Sequence, residues 1–373
     1  MKKFLAVLLA IVMTFSMVGT VVAVDETSST QGSLSDVYDT AQDAIDAAGN
    51  IKDSIDADDC GGAISNTVTF GKALAKAIHT LVHTLSKMFD FRCPFCKLTG
   101  YEEKPSFTMS EDTVADAEWY NEEAETLYID DASDFLAFTE TAYTWGVADK
   151  ANVPNFKGKT IVLNADIYFP DGYIWTPISC YDSFFIGNGG FQGTFDGNGY
   201  TIYNLNTTHQ NKTERGYRLG LFGEVGDGAV FKNVTLDGAN TYGGNSSAGA
   251  LCAHIAGSVT FENITVKNST IRQGRYSGGI VGSISSVDNS TITFKNCKVK
   301  DTALFNVHND YCGALYGANY GYDNATMTIV TDNCTADNVV KNFYAGSFDE
   351  MQTITLEEAL TKYAAQPAGM GGN

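Results

Sequence analysis

Four of the chain's five arginines fall in two loops, and those loops concentrate the side chains best suited to holding a ligand. Arg215 and Arg218 flank Tyr217, and Arg272 and Arg275 precede Tyr276. The next equivalent loop offers His308, Asp310 and Tyr311. A guanidinium grips a carboxylate through two parallel hydrogen bonds, and a tyrosine ring can lie on a sugar face. The loops therefore predict a site for an acidic sugar or another anion. A plainer alternative pairs these arginines with neighbouring acids such as Glu214, as exposed ion pairs of little energetic weight.

Other chemistry is weaker. Cys93-Pro-Phe-Cys96 has redox or metal-ligand spacing, with His79 and His83 upstream. The stretch from His83 to Cys93 would span about 15 Å as helix, so a local disulfide or plain thiols fit better than zinc. No metal and no cofactor is assigned. Asp196-Gly-Asn-Gly199 reads as a turn rather than a catalytic loop. Glycan hydrolysis needs two facing carboxylates, and a lyase needs a base with clustered acids for calcium. Asp166, Asp171, Asp182, Asp196, Asp227, Asp237, Asp301 and Asp310 do not repeat at one position. No catalytic residue is assigned.

The loops must be positioned by repeats. Six asparagines, Asn164, Asn204, Asn233, Asn263, Asn296 and Asn333, follow one another at 40, 29, 30, 33 and 37 residues. Around Asn263, for example, Val259 and Phe261 precede and Ile264 and Val266 follow. Each half alternates with period two, but the step across the asparagine is three. A bend there keeps both halves facing inward. Gly220, Gly249, Gly279 and Gly313 open a second marker in phase with the first. Self-similarity of about 30 residues with several short strands per repeat is a parallel β-helix. The asparagines are expected to form an internal ladder. On that expectation the Asn-x-Thr sites at Asn233, Asn263 and Asn333 have no room for a glycan. Cys297 and Cys334 take one position in adjacent coils, as a disulfide or as stacked small groups.

Composition bounds the partners. The 373 residues carry 24 Lys and Arg against 44 Asp and Glu, a net charge of −20. Such a chain does not suit nucleic acid, whose binding is driven by cationic side chains. Residues 1–23 read as a secretory signal peptide, and no later stretch is apolar enough to span a membrane. Residues 24–100 read as helical, and 101–125 as an acidic linker. Residues 126–348 form a capping segment with a helix near Ala132 to Trp145, then the β-helix. Residues 349–373 supply a C-terminal cap helix and tail, which cover the open edge.

Trp175-Thr-Pro-Ile178, the run Phe191 to Gly199, Thr201 to Leu205 and Gly220-Leu-Phe-Gly223 resemble bacterial surface proteins with GLUG repeats. That resemblance implies a pectin-lyase-like right-handed parallel β-helix of about six coils. The fold class is mainly β with helical ends. It also implies an exported protein, secreted or at the cell surface, that binds a glycan or a protein surface without catalysis. A polysaccharide lyase or hydrolase on the same scaffold is one alternative. A structural spacer for working N-terminal helices is the other.

Overall fold

The computed structural model describes residues 104–143, 152–179, 189–208, 218–243, 246–273, 275–285, 287, 289–306, 311–320, 326–343 and 354–372. The stretches read above as a signal peptide (1–23) and as helical (24–100), with Cys93 and Cys96, lie outside them. The described unit, Lys104–Asn373, is a right-handed parallel β-solenoid of about five turns. The six asparagines suggest one turn more. The early coils are less regular: the two narrow faces form strands only from Arg218 and Phe222, preceded among the described residues by single bridges at Ile178 and Phe191.

The first face stacks Thr126–Ile129, Thr160–Leu163, Thr194–Asp196, Val230–Asp237, Val259–Gln273, Ser290–Lys295 and Met327–Asp332 in parallel register. Its inward column is Leu127, Ile161, Phe195, Phe231, Phe261 and Phe294, all buried. The phenylalanines stack along the axis, with Phe231 and Phe261 centroids 5.3 Å apart and Phe261 and Phe294 4.9 Å apart, both near parallel. The second face carries the buried column Ile167, Ile202, Leu236, Val266 and Val299. Alternation within each strand makes these columns the core. Outward on the first face stand Asp196, Lys232, Glu262 and Lys295 in register. They pair as Lys232–Asp196 at 3.1 Å and Lys295–Glu262 at 2.7 Å.

Between these faces Asn233, Asn263, Asn296 and Asn333 adopt φ of 49° to 56°. This left-handed geometry suits asparagine among residues with a Cβ. It absorbs the odd residue, so Phe231 and Leu236 both face inward. The ladder runs along the corner and not through the interior. Asn263 and Asn333 are exposed, and Asn233 and Asn296 half-buried. At such a bend the flanking residues take the inner side and the corner residue projects outward. Each amide nitrogen donates to the preceding coil: Asn333 to Asn296 at 2.8 Å, Asn296 to Asn263 at 3.1 Å, Asn263 to Asn233 at 2.8 Å, and Asn233 to Asp196 at 3.0 Å. A lack of interior space is therefore no reason to exclude glycans here.

Asn204 belongs elsewhere. Tyr203 pairs with Asp237, which sets Asn204 beside Gly238 at the second corner. There Asn204, Gly238, Asn268, Asp301 and Asn338 all take positive φ. The first corner of that coil is instead the wider turn Gly197-Asn198-Gly199, in which Asp196 accepts the Asn198 N–H at 2.9 Å. Asn164 donates to Asp130 at 2.7 Å.

The supposed linker begins the solenoid: Ser106–Thr108 pairs with Asp166–Tyr168, and Met109 and Trp119 are buried. Helix α1 (Ala132–Thr141) follows, its N-cap Asp131 accepting from the Ser133 and Asp134 N–H groups. It buries Phe135 and Phe138 against the aromatic end of the core, with Phe135 stacked on Trp175 at 4.8 Å. Helix α2 (Leu356–Lys362) starts with a capping box of Thr355 and Glu358. Ala359 and Tyr363 cover Ala303, Phe305 and Val340. Beyond it the tail pairs with Val340 and Tyr316 at the last coil. No helix among the described residues is long and apolar enough to cross a membrane.

Candidate functional site

Two four-stranded sheets complete the coil. One holds Arg218–Leu219, Ser247–Gly249, Tyr276–Gly278 and Cys312–Gly313. The other holds Phe222–Val225, Cys252–Ala256, Val281–Ser285 and Tyr316–Tyr320. Glycines form the corner between them. The register aligns Gly249 with Gly278 rather than with Gly279. A Cβ on Gly220 would lie 2.6 Å from the Gly249 carbonyl oxygen, and one on Gly282 2.6 Å from the Ala248 nitrogen. Only glycine lets the two backbones approach so closely.

Polar side chains of these sheets meet in a buried layer. The hydroxyls of Ser247 and Ser283 are 2.6 Å apart. Glu224, wholly buried, forms an ion pair with Arg218. Its other oxygen is 2.7 Å from Nδ1 of His254, and Nε2 of His254 is 2.8 Å from the Ser285 hydroxyl. Arg218 and His254 keep only 6 % and 4 % of their surface. A buried carboxylate between a guanidinium and an imidazole is paired on both sides, as burial of charge requires.

Burial, and after it the Arg218 cation, hold the His254 pKa well below the usual histidine value. The imidazole is therefore neutral in the folded chain at neutral pH. The unfolded chain takes up a proton near pH 6.5, which the folded chain refuses until much lower pH. In that window the unfolded state binds more protons. Stability should then be full above about pH 6.5 and fall as pH drops towards the folded pKa. Urea midpoints at pH 7 and pH 5 test this: the wild type should lose more than His254→Gln. Equal losses would show that His254 is not the group responsible.

The arginine loops divide. Arg215, Tyr217, His308 and Asp310 lie outside the described residues. Arg218 is committed to Glu224. Arg272 is buried, donates to Asn240 and to the Ile354 carbonyl at 2.8 Å, and lies over the Phe305 ring at 5.9 Å. Burial brings its pKa down to about 10. It ties the segment before α2 to the solenoid rather than facing a ligand. Arg275 is exposed. Next to it the Tyr276 and Tyr311 rings of adjacent coils meet at 5.4 Å and 51°. Of the nine residues suggested by sequence, the structure describes an exposed Arg275 next in sequence to Tyr276, whose half-buried ring meets that of Tyr311.

Cys297 and Cys334 are free thiols, their sulfurs against the carbonyls of Phe261 and Phe294 at 3.5 and 3.4 Å. Burial pushes the Cys297 pKa up to about 12, which leaves it a core group rather than a nucleophile. Among the described residues no group of three His, Cys, Asp or Glu side chains could hold a metal ion.

Sequence reasoning missed Glu224, His254 and Ser285. Counting from the glycine marker does not align them, because the offset changes between coils. Glu224 stands four residues after Gly220, and His254 five after Gly249.

No family model matches the chain, and no solved structure does. It is similar to halomucin of Haloquadratum walsbyi, with 32 % identity over 138 residues. That stretch is 34 % of this chain and 1 % of halomucin.

Proposed function

We propose that the chain is an exported binding protein that contacts an acidic glycan, or a protein surface presenting carboxylates, through the solenoid. The observation that carries this reading is the Tyr276–Tyr311 ring pair, with the exposed Arg275 next to Tyr276 in the chain. A guanidinium for a carboxylate and two aromatic faces for sugar rings complement a uronic-acid polymer. The stacked coils add in-register outward columns, such as Asp196, Lys232, Glu262 and Lys295. Many weak contacts along one polymer give avidity. The signal-like residues 1–23, the net charge of −20 and the motifs shared with GLUG-repeat surface proteins support placement outside the cell.

The test is retention on a polysaccharide panel, with product release scored in the same samples. Acidic polymers should retain the protein, and Arg275→Ala with Tyr276→Ala should weaken retention about tenfold or more. Unchanged retention in that double variant would remove this surface. Release of shortened polymer would make the chain a depolymerising enzyme instead.

A further inference from the structure

Glu224, His254 and Ser285 come from three successive coils and form one hydrogen-bonded line. The register sets Glu224 opposite His254 and His254 opposite Ser283, with Ser285 two residues further along the same strand. A neutral imidazole has one N–H and one lone pair. An ionised carboxylate only accepts, so beside one the Nδ1 at 2.7 Å from Glu224 would carry the proton. Nε2 then faces the Ser285 hydroxyl, 2.8 Å away, with its lone pair. The order carboxylate, imidazole, hydroxyl is that of an activated serine.

Burial is graded along the line. Glu224 and His254 are enclosed, whereas Ser285 is half-buried at the end of its strand, two residues before the exposed Val287. The serine end of the line lies nearer the surface than the carboxylate end. Arg218 pairs with Glu224 and supplies the opposite charge at that end of the line. A purely structural polar layer has no need of this polarity; the neighbouring Ser247–Ser283 pair is buried at both ends.

We propose that Ser285 is a nucleophile that cleaves O-acyl esters, with His254 as its base and Glu224 as the residue that positions the imidazole. Ser285 Oγ attacks the ester carbonyl carbon while its proton passes to His254 Nε2. The carbon–oxygen bond to the alcohol breaks, and the departing oxygen takes that proton. Water then attacks the acyl-serine, gives a proton to Nε2, and the carboxylic acid leaves as Ser285 recovers its hydrogen. A buried, hard-to-protonate imidazole is a weak base but, once protonated, a ready acid towards the leaving oxygen. That favours esters over amides, whose nitrogen leaves less readily. This activity is independent of what the Arg275 surface binds.

The experiment exposes the full chain to a fluorophosphonate probe and maps the adduct by mass spectrometry, with p-nitrophenyl acetate hydrolysis measured in parallel. The expected result is one adduct at Ser285, absent in Ser285→Ala, with labelling in His254→Gln slowed about 100-fold. Ser283→Ala should label like the wild type. In Glu224→Gln, whose amide can offer its own N–H to Nδ1, labelling should fall and its pH profile shift, which loss of packing alone would not cause. Wild-type protein with its native circular dichroism but no adduct at Ser285 would overturn the proposal. So would labelling of a folded His254→Gln at the wild-type rate. If His254→Gln does not fold, the wild-type adduct and its site decide.

Discussion

Glu224→Ala should destabilise the folded chain by about 3–5 kcal/mol. The residue is wholly buried and serves Arg218 and His254 at once. Its removal takes from a guanidinium of 6 % exposure the carboxylate that compensates it, and from His254 the acceptor of its Nδ1 proton. The interior cannot hydrate either group, so their desolvation cost is no longer offset. Denaturation by urea at pH 7 should show a lowered midpoint that added salt barely alters, because buried pairs are poorly screened. The double change Arg218→Met with Glu224→Leu should recover much of the loss, since well-packed apolar groups often match a buried pair. A stability within about 0.5 kcal/mol of wild type for Glu224→Ala would show that the polar layer is open to water.

Phe261→Ala should cost about 3–5 kcal/mol for a different reason. Its ring stacks between Phe231 and Phe294 in the inward column. Both neighbours are held by strands paired on either side, so neither can move in to fill the gap. The loss is then transfer energy plus an unrelaxed cavity, with the stacking contribution of aromatic pairs besides. Phe261→Leu should recover a large part of it. Because each coil contacts only its neighbours, the unfolding curve of the alanine variant should also broaden or split at that coil. A single transition at the wild-type midpoint would contradict the packing described here.

Legibility in the sequence followed local chemistry. The solenoid could be read because inward columns must be apolar and corners must tolerate positive φ, and both leave marks at fixed spacing. Asn233, Asn263, Asn296 and Asn333 obey that rule. Asn204 misled because two corners of the coil favour asparagine for the same reason, and spacing alone does not separate them. The strand Ser106–Thr108 was hidden because three residues carry too little periodicity to stand out from an acidic segment. The arginine loops were visible as a cluster, but burial was not. Arg272 looks like a ligand group in sequence and is fastened to the Ile354 carbonyl in the fold. Glu224, His254 and Ser285 are about 30 residues apart and meet only through the register of successive coils.

The corner ladder has a direction. Every link hands an amide hydrogen backwards, from Asn333 through Asn296, Asn263 and Asn233, and the series stops at Asp196, which can only receive. Each intermediate asparagine is chemically interchangeable with the next, so a coil bearing one can be inserted or deleted anywhere between the ends without a broken link. Gene duplication of a single repeat would thus yield a longer chain that is satisfied from the start. The ladder can lengthen in steps of one coil, while its Asp196 end and the tail-covered last coil stay the same.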